Sequence, residues 1–171
     1  PRSRLPSPTL VPRSVARGSR GRPPIMRRGR RIAFDPGSVR IGVAVCDRDA
    51  ILASPHEPVA ADDGAALREL IAEVEPIEIV IGLPRGLDGN EGSAAQAAQS
   101  FAAEIASAVD FPVRLVDERL STVEAQRGLH DQGLSIRQSR GMIDSAAASV
   151  VLQHALDAER SSGQPPGEVL P

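Results

Sequence analysis

Asp35 closes an apolar run, Arg31-Ile32-Ala33-Phe34-Asp35, and is followed by the turn-like stretch Pro36-Gly37-Ser38-Val39-Arg40 and a second apolar run, Ile41 to Val45. A carboxylate where a strand meets a turn is costly to hold beside a core unless a cation or hydrogen-bond donors receive it. Two later segments have the same character. Asp117-Glu118 closes the apolar run Val113 to Val116, and Asp144 lies in the apolar helical stretch Met142 to Leu156. Acids at the edges of three separate core elements predict one metal pocket, because close carboxylates repel one another unless a cation lies between them. Oxygen-only ligands suit a hard ion, Mg2+ or Mn2+, that also accepts a phosphate oxygen. A pair of such ions would activate water and stabilise the leaving oxygen in phosphodiester cleavage. His56, His130 and His154 are scattered and adjoin no cysteine pair, which argues against zinc. Structural roles remain open to single acids: Asp117 could cap a following helix, and Asp144 could pair with Arg140 one turn earlier.

The elements that must bring these acids together are legible in outline. Strand, turn and strand from Arg31 to Val45 precede a third run, Ile51 to Val59, which Pro55 and Pro58 mark as short or at an edge. A helix capped by Asp62 or Asp63 presents Leu67, Leu70, Ile71 and Val74 on one face and ends near Pro76. Ile77 to Ile81 reads as a buried strand parallel to the first. A glycine-rich loop, Gly82 to Gly92, leads into a helix with the stripe Ala94, Ala98, Phe101, Ile105 and Val109. Pro112 opens the strand Val113 to Val116. Ser121 to Glu124 has capping-box spacing and starts a short helix that stops near Gly133. The last helix runs from about Ile136 to Leu156. This order predicts an α/β domain with a mixed, five-stranded sheet covered on both faces. The carboxyl ends of its strands gather Asp35 and the Asp117-Glu118 pair.

With 171 residues, 41% of them hydrophobic, the chain is sized for one domain with a core of its own. The lack of Trp and Tyr weighs against recognition by base stacking and favours phosphate contacts if nucleic acid is the ligand. Cys46, the single cysteine, forms no internal disulfide and suits a reducing compartment. No apolar run approaches the roughly 20 residues that span a bilayer, so the expectation is a cytoplasmic protein without membrane contact. The net charge of -2 hides a division. Residues 1–31 hold ten arginines and no acid, whereas the rest hold ten arginines against 22 acids, a net of -12. The composition therefore separates a disordered basic tail over 1–30, a folded domain over 31–158 and a flexible tail over 159–171. The first is either a solvated segment or an arm for nucleic-acid phosphates.

Four blocks carry a resemblance: Asp35-Pro-Gly-Ser-Val-Arg-Ile-Gly-Val-Ala44; Ile81-Gly-Leu-Pro84 with Asp88-Gly89; Asp117-Glu-Arg-Leu-Ser-Thr122 with Ala125; and Ile143-Asp144 with Ala146-Ala147 and Leu152-Gln153. In this order, across about residues 31–157, they resemble the YqgF family, also called RuvX, of the RNase H-like superfamily. The resemblance implies an RNase H-like fold and a divalent-metal nuclease centre that processes the 5′ end of precursor 16S rRNA. Resolution of Holliday junctions by a dimer is the alternative. It further implies Asp35, Glu118 and Asp144 as catalytic metal ligands, with Asp117 as an alternate to Glu118. Arg40, Arg85 and Arg119 match or adjoin its motifs and would neutralise phosphates, or else buttress the acids. The implied partner is nucleic acid, precursor rRNA or branched DNA, bound by a monomer or homodimer. A non-catalytic RNA-binding assembly factor is the competing class of function. An actin-like ATPase is disfavoured, because this length leaves no room for a second lobe.

Overall fold

The computed structural model describes residues 26–84, 92–117 and 140–171, with side chains in the last helix from Ser145 onward. Its elements are β1 (Arg31–Pro36), β2 (Arg40–Cys46), β3 (Ala53–Ala60), α1 (Gly64–Val74), β4 (Glu78–Leu83), α2 (Ser93–Ala108), β5 (Val113–Asp117), α3 (Arg140–Ser162) and β6 (Glu168–Val169). The expected helix between Ser121 and Gly133 lies outside the described residues.

One sheet runs in the order β3-β2-β1-β4-β5-β6. Strands β1, β4 and β5 are parallel neighbours, while β2, β3 and β6 run antiparallel to theirs. Alternation along each strand sorts the side chains into two layers. Ile32, Phe34, Ile41, Val43, Ile79, Ile81, Val113 and Leu115 pack with α1 and α2. Ala33, Ala44, Cys46, Val80 and Val116 pack with Ala148, Val151, Leu152, Ala155 and Leu156 of α3. Small residues on this second face allow the long helix to lie close to the sheet.

Local chemistry sets most of the element ends. Asp63 caps α1 by accepting from the Ala66 amide at 2.9 Å, and the helix buries Leu67, Leu70, Ile71 and Val74 as its spacing predicts. In α2 the stripe is Ala95, Ala98, Ala102 and Ile105, and Ala94 is exposed. The expected stripe thus began one residue early; Phe101 still packs from its flank, edge-on to Phe34 at 6.0 Å. Strand β3 is an edge strand whose register shifts between its partners Ile41 and Val43, beside Pro58.

The sheet has six strands, not the expected five. The additional strand lies in the segment that composition reads as a flexible tail. It pairs with β5 because the Leu170 amide donates to the Val113 carbonyl at 2.9 Å and Arg114 Nη1 donates to the Gly167 carbonyl at 3.3 Å. Residues 26 and 27, also assigned to a tail by composition, are tied down: Met26 packs on the α3 layer and Arg27 pairs with Glu78 and Glu159.

Candidate metal centre

Asp35 occupies the carboxyl end of β1, and its parity with Ala33 turns it to the α3 face. Its register partner on β2 is Gly42. On the other side, the residue after Ile81, the partner of Phe34, is Gly82. Glycine on both flanks leaves no side chain beside the carboxylate at its level of the sheet. The turn after it is tight: the Gly37 amide donates to the Arg40 carbonyl at 3.0 Å, and a Cβ on Gly37 would come within 2.5 Å of that oxygen. Asp35 is half-buried and makes no hydrogen bond or ion pair among the described residues, so burial pushes its carboxyl above the usual range.

Helix α3 is fixed over this end of the sheet by polar contacts that sequence reasoning did not anticipate. Ser145 Oγ, fully buried, accepts from the Val43 amide at 3.0 Å, one residue from Gly42 and at the β2/β3 register shift. A turn farther along, Ser149 Oγ donates to the Ser145 carbonyl. Gln153 Oε1 accepts from the Ala53 amide at 2.9 Å, and its Nε2 donates to the Ile51 carbonyl at 3.2 Å. Ser145→Ala strands the Val43 donor, and the expected cost is about 1–3 kcal/mol, read from the denaturation midpoint. Gln153 stood in a quoted motif; Ser145 was visible only as the neighbour of Asp144.

The other expected site residues fall as follows. Asp117 ends β5 opposite Leu83, and shares its parity with Val113 and Leu115, so it faces the α1/α2 layer, away from the Asp35 face. Arg40 is exposed at the start of β2, next to the turn. Asp144 belongs to the first turns of α3; its i+4 and i+7 neighbours Ala148 and Val151 are buried, whereas Ala147 at i+3 is exposed. The Asp144 side chain, Glu118, Arg85 and Arg119 lie outside the described residues. Among the described residues no three Asp, Glu, His or Cys side chains come together as a metal site.

A mixed sheet in this order, with Asp35 at the carboxyl end of β1 and a long helix across that acid's face, has the RNase H-like fold. The RuvX family model, described as Holliday junction resolvase, matches residues 29–158, and the chain belongs to this family. It is 54% identical over 150 residues to a Streptomyces coelicolor protein described as a candidate pre-16S rRNA nuclease, covering 85% of this chain and 90% of that one. A Kineococcus radiotolerans protein of the same description is 50% identical over 151 residues, covering 85% and 80%. Among solved structures, Thermus thermophilus RuvC in complex with Holliday junction substrate aligns with a TM-score of 0.51 at 16% identity, covering 83% of this chain and 99% of that one. That likeness is one of fold.

Proposed function

We propose that this chain is a divalent-metal endonuclease that processes the 5′ end of precursor 16S rRNA. The observation that carries the reading is Asp35, a half-buried carboxylate at a strand end with no counter-charge among the described residues. Its burial is unfavourable until a cation arrives. Asp35, Glu118 and Asp144 would hold Mg2+ or Mn2+, an all-oxygen set that suits a hard ion. Glu118 is preferred to Asp117 because Asp117 belongs to the opposite face. When bound, the ion supplies Lewis acidity toward the phosphate and a more acidic water. The protein's own part is to hold the acids at a fixed spacing, which the Ser145 and Gln153 clamps of α3 support, and to place Arg40 where it can meet a phosphate.

The relatives' descriptions favour RNA, whereas the family's favours a four-way DNA junction. The deciding assay presents purified full chain with precursor 16S RNA and with a four-way junction, in Mg2+, in Mn2+ and in EDTA. The expected result is cleavage of the RNA in either metal and none in EDTA. Cleavage of the junction alone would replace this reading with the resolvase. Binding of RNA without cutting in any metal would replace it with a non-catalytic assembly factor.

A further inference from the structure

At the end of the sheet remote from Asp35 lies a hollow of about 510 Å3 lined by Arg28, Gly29, Arg30, Arg48, Val74, Glu75 and Ile77. It forms where the chain enters β1, leaves β2 and passes from α1 to β4. Its walls are pinned by backbone hydrogen bonds: the Gly29 amide donates to the Arg48 carbonyl at 2.8 Å, and the Ile77 amide donates to the Arg30 carbonyl at 2.9 Å. Gly29 has φ +139°, and a Cβ there would lie 2.4 Å from Ile77 Cγ2, so the segment holding Arg28 and Arg30 is pressed against the β4 entry.

The three arginines are exposed. Arg28 pairs with Asp49 at 2.7 Å, but Arg30 and Arg48 have no side-chain partner among the described residues. Glu75 and the carboxyl end of α1 offset part of this charge, since a helix C-terminus carries about half a negative charge. The hollow nevertheless keeps two uncommitted guanidinium groups in a protein whose residues after 31 carry a net of -12. Six more arginines precede residue 26 in the sequence.

From this geometry we infer a second nucleic-acid site, a phosphate-backbone anchor in which Arg30 and Arg48 hold the RNA away from the point of cutting. The identity of the ligand rests on the proposed nuclease function. Arg30 precedes β1 and Asp35 lies five residues on, about 17 Å along the strand at roughly 3.3 Å per residue. The hollow opens on the α1 side of the sheet whereas Asp35 faces α3, so a substrate must extend beyond the scissile bond and pass around the sheet to engage both.

The test measures equilibrium binding of a single-stranded precursor-RNA fragment to the full chain in EDTA, across a salt series, for wild type and for Arg30→Ala/Arg48→Ala. Both side chains are exposed, and unchanged thermal melting verifies the fold. Weaker binding and a salt slope smaller by about 1.4, two single-strand phosphate contacts at roughly 0.7 each, are expected. A double variant with wild-type affinity and slope overturns the anchor and leaves the nuclease reading intact. A wild type that neither binds nor cuts RNA removes the nuclease reading itself, and the anchor with it.

Discussion

Asp35→Asn is expected to abolish metal-dependent cleavage, a loss on the order of 10³-fold or more, as for members of a catalytic unit, while the protein stays folded. The same substitution is expected to leave metal-free stability unchanged or raised. Burial lifts the Asp35 carboxyl above its ordinary range. A carboxyl whose folded pKa exceeds its unfolded value costs nothing below the unfolded pKa, and its cost is fully present once pH has risen through the folded one. Asparagine carries no such cost, so in EDTA the variant's melting temperature should match or exceed that of wild type, with a gap that widens from acidic to neutral pH. Mg2+ should then raise the wild type's melting temperature more than the variant's, because an ion that binds the native state stabilises it by mass action. Asp117→Asn and Glu118→Gln complete the comparison: the first is expected to keep cleavage and the second to lose it. Full activity in Asp35→Asn would remove this carboxylate from the chemistry, and lost activity in Asp117→Asn would show that strand parity is a poor guide to the ligand set.

The parts legible in the sequence were those fixed by local rules. A cap at Asp62 or Asp63 and the Leu67, Leu70, Ile71 and Val74 stripe define α1 from neighbouring residues alone, and the structure repeats the stripe and places the cap at Asp63. The Asp35 turn was equally plain, since Gly37 and the flanking apolar runs leave few alternatives. In α2 the expected Ala98 and Ile105 are buried, but the start of the stripe fell one residue early because that helix is so rich in alanine that Ala94 and Ala95 are locally equivalent; only the fit of Ala95 against the sheet separates them. The choice between Asp117 and Glu118 could not be made from local pattern, because both faces of β5 are covered and Val113 to Val116, Arg114 included, are all buried. It takes the assignment of Leu115 to one layer and Val116 to the other to orient the acid that follows. Strand β6 and the Ser145 clamp depend on contacts between residues distant in the chain, which periodicity does not encode.

Glu159→Ala should be the most destabilising substitution of a charged residue in the described domain, at about 3–5 kcal/mol, out of the 5–15 kcal/mol typical of a whole domain. Nothing in the sequence around Glu159 marks it out, since it stands in a polar stretch near the end of α3. In the structure it is only 3% exposed, as are Arg31 at 1% and Glu78 at 2%. Arg31 Nη2 reaches Glu159 at 3.1 Å and Arg27 Nε reaches it at 2.7 Å, while Arg27 and Arg114 both pair with Glu78. Burial alone would raise the Glu159 carboxyl, but the Arg27 hydrogen bonds and the Arg31 and Arg27 charges outweigh it and hold it below the usual range. Its contribution is therefore present above the unfolded carboxylate pKa and fades as pH falls through the depressed folded one. Alanine at 159 leaves Arg31 buried with no counter-charge, which is the expensive state. The cost belongs to the orphaned guanidinium, so pairing the change with Arg31→Met should recover most of it; apolar side chains in place of a buried ion pair are often neutral or stabilising. Urea denaturation of the two single variants and the double variant separates the terms. A double variant no more stable than Glu159→Ala would mean that the carboxylate stabilises the fold in its own right. Because the network lies at the end of the sheet opposite Asp35, cleavage measured well below each variant's melting temperature should stay near wild type, which distinguishes loss of the scaffold from loss of the metal centre.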